Sequence, residues 1–486
     1  MTSTGTGPPF GDTPSPMGID KMKTSITGLD EILNGGIPRG AMTLISGGPG
    51  TGKTMLTLEF LARGAQAGHS GIMLTFEERE DDLRRYAQGF GWDISALEAQ
   101  KKVLLISARI HPDTVLSGDF DLRGLLSILR QQAEAIQAER VVIDAPDVVL
   151  RLMDNISKER TELYALHEWL RDAGLTTIMT VKGASNGVFS SHYEFLDYMA
   201  NCVICLDQRV TEQITTRRLR IVKYRGSTYG RNEYPFGFSD KGIWIIPVTQ
   251  TSLQHQALGE SMSSGIPDLD DILQGGYRRA SCTLITGSSG TGKTTFACSF
   301  VLSAVSHGDR MLYLDFEESW DALVSCMRSP GLDMEAAHET GLLRFVSKMP
   351  ESQGIEEHLI EAFRIIEDFQ PNHLVVDAIS ACRRMGSDHA AFDYLLRLIN
   401  HCKQRGITTF LTNLTTADAD REITGIDLSS VIDTVILLRN VEVDGAYKRE
   451  LGVLKSRGRH HSSHIHSFRI TGRGIEIAEK EDMDEA

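Results

Sequence analysis

The chain has 486 residues, too many for one hydrophobic core, and its 41% hydrophobic and 24% charged residues are typical of a globular protein. A formal net charge of −15 disfavours a non-specific nucleic-acid surface. No apolar run reaches the ~18 residues that a membrane span needs, and seven scattered cysteines suit the reducing cytoplasm.

The sequence contains an internal duplication. Lys53 matches Lys293 and Glu78 matches Glu318, each pair 240 residues apart, and the sequences around them correspond. In each copy short apolar runs alternate with amphipathic stretches, which predicts two tandem α/β domains with mostly parallel sheets flanked by helices. The predicted segments are a disordered leader (1–18), a first domain (19–248), a linker (249–260), a second domain (261–478) and an acidic tail (479–486).

Near the start of each copy, a glycine-rich motif of the form G-x-x-x-x-G-K-[ST] lies between a strand-like and a helix-like run. Its glycines allow backbone N–H groups to surround a phosphate, its Lys neutralises phosphate charge and its Thr holds Mg²⁺. The predicted ATP contacts are Gly48, Pro49, Gly50, Thr51, Gly52, Lys53 and Thr54 in the first copy, and Ser288, Ser289, Gly290, Thr291, Gly292, Lys293, Thr294 and Thr295 in the second. ATP and Mg²⁺ are therefore the predicted cofactors.

Carboxylates recur after these motifs. Glu77 and Glu78, like Glu317 and Glu318, follow the next strand, where a carboxylate can take a proton from an attacking water or hydroxyl. Further on, Asp144 and Asp377 end apolar strands, as a Walker-B Asp that supports the metal does. We expect the four Glu residues to be catalytic, and Glu317 to join Thr54 and Thr294 as Mg²⁺ ligands.

Each copy ends with a K-x-R-G segment, formed by Lys223 with Arg225 and by Lys455 with Arg457. The spacing i, i+2 puts both cations on one face of a strand. Because a phosphate-loop lysine is already present, two further cations resemble fingers offered to the nucleotide of a neighbouring subunit. This predicts a ring with nucleotide between subunits.

The paired phosphate loops, both FEE turns, both K-x-R-G segments and the stretch LSSVIDTVILL resemble the KaiC family of RecA-like ATPases over nearly the whole chain. The resemblance implies a two-tiered homohexamer in circadian or related timing. Its first domain would hydrolyse ATP, and its second would phosphorylate hydroxyls on the neighbouring subunit, with autophosphatase activity as well. Two rivals are a RecA/DnaB-like DNA-dependent ATPase and an ATP-gated signalling scaffold.

The resemblance also assigns residues. Ser429 and Ser430 occupy the phosphosite pair, with Thr424 as a further candidate, and the first copy has Asp197 and Tyr198 at the paired positions. The remaining implied ATP contacts are Lys223, Tyr224, Arg225, Ser227, Tyr229, Ser239, Asp240, Arg449, Lys455, Ser456, Arg457 and His461.

This sequence departs from the family pattern in places. Ser430 replaces the usual Thr of the phosphosite pair, and Tyr229 replaces a His that His461 keeps in the second copy. A short acidic stretch stands where the family has a long C-terminal extension through which KaiA acts. We therefore expect phosphorylation without KaiA, while a KaiB-like partner on the first domain stays open.

Overall fold

The structure is a computed structural model, and it describes residues 19–108, 122–150, 156–183, 194–211, 214–247, 258–415 and 430–478. The chain divides into two compact units, with the main division between residues 249 and 250. We call them unit 1 and unit 2. Within the described ranges, no helix combines the length and the apolar character needed to cross a membrane.

In unit 1 the strands are β1 (Lys21–Met22), β2 (Ile37–Pro38), β3 (Met42–Gly47), β4 (Gly71–Thr75), β5 (Val103–Ser107), β6 (Arg140–Asp144), β7 (Thr176–Lys182), β8 (Cys202–Thr211), β9 (Ile214–Tyr224), β10 (Glu233–Ser239) and β11 (Gly242–Ile245). The helices are α1 (Leu29–Ile32), α2 (Lys53–Gln66), α3 (Glu80–Gln88), α4 (Ile94–Ala99), α5 (Leu122–Ile136), α6 (Asp147–Leu150), α7 (Ile156–Asp172) and α8 (Glu194–Met199).

In unit 2 the strands are β12 (Ser261–Met262), β13 (Tyr277–Arg278), β14 (Cys282–Gly287), β15 (Met311–Asp315), β16 (Leu343–Ser347), β17 (His373–Asp377), β18 (Thr408–Leu414), β19 (Thr434–Val443), β20 (Ala446–Ser456), β21 (Ile465–Thr471) and β22 (Gly474–Ile477). The α-helices are α9 (Pro267–Ile272), α10 (Lys293–Ser306), α11 (Trp320–Arg328), α12 (Met334–Glu339), α13 (Ile355–Phe369) and α14 (Asp388–Gln404), with 3₁₀ helices at Pro350–Ser352 and Ile379–Met385.

Each unit is built on a nine-stranded sheet. The order is β11-β10-β9-β8-β3-β7-β6-β4-β5 in unit 1 and β16-β15-β17-β18-β14-β19-β20-β21-β22 in unit 2, the same arrangement read from opposite edges. Strands from β3 to β8, and from β14 to β19, pair in parallel, whereas the hairpins beyond them pair antiparallel. The predicted fold class is confirmed.

The central strands are apolar on both faces because helices cover both sides of the sheet. In unit 1, Ile45 and Met73 face a core cluster that contains α2, while their neighbours Leu44 and Leu74 face a second cluster that contains α7. This double burial fixes the register of the parallel strands, so their carboxyl ends align at one edge of the sheet. Residues that follow those strands are brought together there.

Candidate functional site

The two glycine-rich motifs form matching loops between a central strand and a helix. In unit 1 the Lys53 ammonium donates hydrogen bonds to the carbonyls of Gly47 at 2.8 Å and Gly48 at 2.9 Å. In unit 2 Lys293 makes the same bonds at 3.0 Å and 2.8 Å. Partial burial lowers the pKa of both lysines, and the nearby carboxylates oppose that effect. Each loop ends at a helix N-terminus, which favours a bound phosphate.

The last glycine of each loop is required by its backbone and by its surroundings. Gly52 and Gly292 have φ values of 98° and 99°, in the left-handed region. A Cβ atom would lie 2.6 Å from the Phe238 ring at the first position and 2.7 Å from the Ile470 side chain at the second. These contacts explain why the loop can be predicted from sequence: only glycine fits there.

In unit 1 the predicted Walker-B residue contacts the loop helix. Asp144 is buried, and its carboxylate accepts the Thr54 hydroxyl at 3.0 Å and the Thr180 hydroxyl at 2.6 Å. Burial raises the pKa of Asp144, while these two hydrogen bonds oppose the change. A hydroxyl and a carboxylate oxygen meeting at the phosphate end of the loop are the hard oxygen ligands, direct or through water, that suit Mg²⁺.

Unit 2 surrounds its Walker-B residue differently. Asp377 accepts the Thr412 hydroxyl, as Asp144 accepts that of Thr180, but its other oxygen accepts the Tyr313 hydroxyl at 2.8 Å. Tyr313 is fully buried, and burial, followed by the charge of Asp377, raises its pKa. The corresponding residue in unit 1 is Met73. Tyr313 therefore makes the second bond to the Walker-B carboxylate that Thr54 makes in unit 1.

The glutamate pairs lie in the turns after β4 and β15, two and three residues beyond the strand ends. Glu77 is exposed, yet partial desolvation, followed by the charges of Asp144 and Asp147, raises its pKa. Glu78 is half-buried and lies 3.5 Å from the Tyr86 hydroxyl. In unit 1, therefore, the charge of Asp144 acts on the first glutamate, whereas the second contacts Tyr86.

In unit 2 both glutamates are exposed and both act on the site. Burial lowers the pKa of Lys293, and the charges of Asp377 and then Glu317 oppose that change. Desolvation, followed by the charge of Asp377, raises the pKa of Glu318. Glu317 is thus coupled electrostatically to the loop lysine, and Glu318 is coupled to Asp377.

The turn of unit 2 also contains Asp315, at the end of β15. Its carboxylate accepts the backbone N–H groups of Glu317 at 2.8 Å and Glu318 at 2.6 Å. Burial, with smaller contributions from the charges of Asp377 and Glu318, raises the pKa of Asp315 to about 7, against the opposing effect of the two backbone hydrogen bonds. The residue at this position in unit 1 is Thr75.

The K-x-R cations lie at the opposite edge of each sheet from their own phosphate loop. In unit 1, Lys223 donates to the carbonyl of Asp197, and the Arg225 guanidinium donates to that of Tyr198 at 2.9 Å. The backbone N–H of Arg225 donates to the carbonyl of Asn201. The backbone N–H of Asn201 in turn donates to the carbonyl of Met42, at the beginning of β3. The loop begins after the end of β3, five residues on, which is roughly 16 Å away along the strand.

Unit 2 repeats this arrangement with Arg457. Its N–H donates to the carbonyl of Asp433 at 2.8 Å, and the N–H of Asp433 donates to Cys282 at the beginning of β14. Lys455 donates to the carbonyl of Ile432 at 2.7 Å. The Arg457 guanidinium donates to the carbonyl of Ser430 at 3.1 Å, so one predicted phosphoacceptor and the predicted finger lie side by side.

A buried ion pair anchors this edge in unit 2. The Lys403 ammonium lies 2.7 Å from the Asp433 carboxylate, with both side chains 5% exposed, and also donates to the carbonyl of Val431 at 2.7 Å. The same carboxylate accepts the N–H of Cys282 at 2.9 Å. The chain just after Ser430 is thereby tied to α14 and to β14. Ser430 itself is exposed, whereas Ser429 and Thr424 lie outside the described residues.

The remaining predicted ATP contacts fall into two groups. Arg449 bonds the carbonyl of Gly290 in its own loop at 3.3 Å, and Ser239 with Asp240 forms the β10–β11 turn, directly after the Phe238 that covers Gly52. The others lie within or after the K-x-R segments at the far edge: Tyr224, Ser227 and Tyr229 in unit 1, and Ser456 and His461 in unit 2. Tyr224 is buried, and its hydroxyl donates to the carbonyl of Gly36 at 2.8 Å.

Sequence reasoning did not identify several residues that shape these sites. Thr180 and Thr412 hold the Walker-B carboxylates, and they recur at matching places in β7 and β18, so the internal repeat could have revealed them. Tyr313, Asp315 and Lys403 occur in one copy only. The internal repeat therefore gives no signal for them. Tyr313 and Lys403 bond side chains far along the chain, and Asp315 bonds backbone N–H groups.

The chain is similar to known proteins along most of its length. A family model described as "ATPase: KaiC" matches residues 22–250 and 262–482. The circadian clock protein KaiC2 of Synechocystis is 35% identical over 96% of this chain and 83% of its own length. KaiC3 of the same organism is 33% identical over 95% of this chain and 92% of its own length. The circadian clock oscillator protein KaiC of Prochlorococcus marinus MIT 9313 is 34% identical over 95% of this chain and 93% of its own length.

Proposed function

The chain belongs to the KaiC family of ATPases, and from this we propose that it is a homohexameric Mg²⁺-dependent ATPase and autokinase. Unit 1 corresponds to the first domain, residues 19–248, and hydrolyses ATP. Unit 2 corresponds to the second domain, residues 261–478, and phosphorylates Ser429 and Ser430 of the neighbouring subunit, with Thr424 as a further acceptor. Because similar proteins are named circadian clock proteins, we place this activity in timing or related signalling.

One observation carries the proposal: Arg457 and the carbonyl of Ser430 are hydrogen-bonded at the sheet edge opposite the phosphate loop of their own unit. Neither residue lies within reach of that loop, because the length of β14 separates them from it. In a ring, however, this edge of one subunit faces the loop of the next. The finger and the acceptor would then arrive together at a neighbour's ATP, and Lys223 with Arg225 would do the same between copies of unit 1.

The proposed transfer in unit 2 is an in-line displacement. The hydroxyl oxygen of a serine attacks the γ-phosphorus, its proton passes to Glu317 or Glu318, and the bond from the γ-phosphorus to the β–γ bridging oxygen breaks, releasing ADP. The neighbour's Arg457 and the unit's own Lys293 stabilise the charge that spreads over the phosphoryl oxygens. Dephosphorylation would use the same site with water or ADP as the acceptor.

Hydrolysis in unit 1 uses the same parts with water as the nucleophile. Glu77 faces Asp144 and has a raised pKa, as suits a group that accepts a proton. Thr54 and Thr294 would hold Mg²⁺, with Asp144 and Asp377 acting through its water shell and Glu317 joining in unit 2. When bound, Mg²⁺ would supply positive charge that offsets the charge of the phosphates.

Labelled ATP tests the proposal against its rivals. Purified protein is incubated with γ-labelled ATP, with and without single-stranded DNA, and the modified residues are mapped by mass spectrometry. We expect label on Ser429 and Ser430, independent of DNA. Hydrolysis stimulated by DNA without self-labelling would instead identify a DNA-dependent motor, and bound ATP without either activity would identify a scaffold.

Assembly is measured separately, by light scattering. Because ATP is proposed to lie between subunits, adding ATP should convert the protein to hexamers, and Lys53→Ala should weaken them more than Lys293→Ala. A monomer with both sites filled would contradict the ring. Docking of a KaiB-like partner on unit 1 stays an open prediction. Labelling without KaiA concerns residues 479–486, outside the described range, and stays a prediction that adding KaiA in parallel will test.

A further inference from the structure

Asp315 holds the turn that contains both proposed bases of unit 2. One oxygen of its carboxylate accepts the N–H of Glu317 at 2.8 Å and the N–H of Glu318 at 2.6 Å. Asp315 is 2% exposed, so water does not compete for these bonds. One carboxylate oxygen accepts two adjacent backbone N–H groups, so both peptide units are tied to a single atom. The backbone of the two glutamates is therefore fixed to the end of β15.

The matching turn of unit 1 has fewer hydrogen bonds to the residue at the strand end. Thr75 occupies the position of Asp315, and its hydroxyl accepts the N–H of Glu78 at 3.2 Å. Both turns share a second contact, in which the hydroxyls of Ser107 and Ser347 donate to the carbonyls of Glu78 and Glu318. The difference between the turns thus comes from the acceptor at the strand end: a neutral hydroxyl in unit 1 and a buried carboxylate in unit 2.

A carboxylate is a costly choice at this position. Asp315 pairs with Asp377 across β15 and β17, so two acidic side chains occupy neighbouring positions on one face of the sheet. Both are buried, and burying one carboxylate beside another opposes folding unless hydrogen bonds compensate. The threonine of unit 1 shows that this fold can hold the turn without a second carboxylate.

We propose that Asp315 is a positioning residue for phosphoryl transfer in unit 2, which fixes Glu317 and Glu318 relative to an acceptor serine. The inference rests on the proposed function. Transfer to a serine on another chain needs tighter alignment than transfer to water, which can enter from several directions. Misplacing a reacting group by about 1 Å can cost 100-fold in rate, so a rigid turn is useful where the acceptor is itself tethered.

Three substitutions separate the possible roles of Asp315. Asp315→Asn keeps an oxygen acceptor and removes the charge, Asp315→Thr introduces the unit 1 residue, and Asp315→Ala removes the acceptor. Thr75→Ala is the matched control in unit 1. For each variant we measure the labelling rate at Ser429 and Ser430, the KM for ATP in labelling, and amide hydrogen exchange of the Glu317–Glu318 peptide.

We expect Asp315→Ala to slow labelling by about tenfold or more at an unchanged KM for ATP, and to lose amide protection at Glu317 and Glu318. The labelling rate of Asp315→Asn should stay within about threefold of that of the unmodified protein. The rate of Asp315→Thr should lie between those of Asp315→Ala and Asp315→Asn. Thr75→Ala should leave labelling unchanged.

The inference fails if Asp315→Ala loses amide protection but labels at the normal rate. It also fails if all three variants lose labelling together with ATP affinity, since that pattern indicates a structural role only. If the unmodified protein does not label its serines, the proposed function is wrong. In that case the same variants are compared by ATP turnover in a Glu77→Gln background, and an unchanged turnover in Asp315→Ala would overturn the positioning role as well.

Discussion

Units 1 and 2 each contain a nine-stranded sheet of the same strand order, a phosphate loop and a pair of cations at the far edge. They differ around the proposed catalytic residues. Near the Walker-B carboxylate, Met73 and Thr75 of unit 1 correspond to Tyr313 and Asp315 of unit 2. The duplicated scaffold therefore repeats the phosphate loop and the cations at the far edge. We propose that the few substitutions without a counterpart in the other unit set what each site does with ATP.

The far edges differ as well. In unit 2 the buried pair of Lys403 and Asp433 ties down the chain next to Ser430. The matching residues of unit 1 are Arg171, which pairs with Glu168 at the surface, and Asn201. A buried charge pair is an expensive anchor. Its presence beside the predicted phosphoacceptor, and its replacement in the other unit, fits a segment that must be held for phosphorylation.

The largest expected effect comes from the proposed bases. Glu317→Gln should slow labelling of Ser429 and Ser430 by about 100-fold or more, because general base catalysis typically contributes 10²–10⁴-fold. Glu77→Gln should instead suppress hydrolysis in unit 1 and leave labelling intact. Both rates are measured on each variant in one assay with labelled ATP.

A Glu317→Gln protein that labels normally would show that this residue is not the base. Glu318→Gln would then be measured in the same assay, since Glu318 lies near Asp377 and has a raised pKa.

The buried pair gives the next effect. Lys403→Met leaves Asp433 buried without its main partner, which should lower the free energy of unfolding of unit 2 by about 3 kcal/mol. The Lys403→Met/Asp433→Asn protein should recover most of that stability because neither charge remains. Arg171→Met, the matched change at the surface of unit 1, should cost less than about 0.5 kcal/mol. Urea denaturation followed by hydrogen exchange assigns each change to its unit.

If Lys403→Met and Arg171→Met lowered the free energy of unfolding equally, the proposed difference between the far edges of units 1 and 2 would be wrong. A Lys403→Met protein that keeps full stability and full labelling of Ser430 would also contradict that difference.

The last effect concerns the pH dependence of stability. Glu59 in α2 is buried, and burial raises its pKa to about 7, although the Ile243 N–H and Arg63 oppose the change. Because the folded state binds this proton more tightly than the unfolded state, the contribution of Glu59 to stability is fully present below about pH 4.5. It declines as pH rises to about 7, by up to about 3 kcal/mol.

Glu59→Gln should abolish that decline, so the variant gains stability over the unmodified protein at pH 8 and not at pH 4. Thermal unfolding over this pH range measures the difference. The matched residue in unit 2 is Ser299, and Ser299→Ala should leave the pH dependence unchanged. A Glu59→Gln protein with the original pH profile would contradict the role assigned to Glu59.

The comparison also shows how far sequence reasoning reaches. Gly52, Lys53 and Asp144 could be predicted because their chemistry needs fixed residue types at fixed local spacing. Tyr313 and Lys403 could not, because their partners Asp377 and Asp433 become neighbours only when strands pair and α14 packs on the sheet. A tyrosine within an apolar strand and a lysine near a helix end look ordinary until the fold brings those carboxylates to them.

The central claim is that unit 2 transfers phosphate between subunits, and mixing two inactive proteins tests it most directly. Lys293→Ala carries Ser429, Ser430 and Arg457 but lacks the loop lysine, whereas Ser429→Ala/Ser430→Ala keeps the loop and lacks the acceptors. We predict that neither labels these sites alone, and that mixing them before ATP is added labels Ser429 and Ser430 of the Lys293→Ala chain. Mixed rings that form and stay unlabelled at these serines would contradict transfer between subunits.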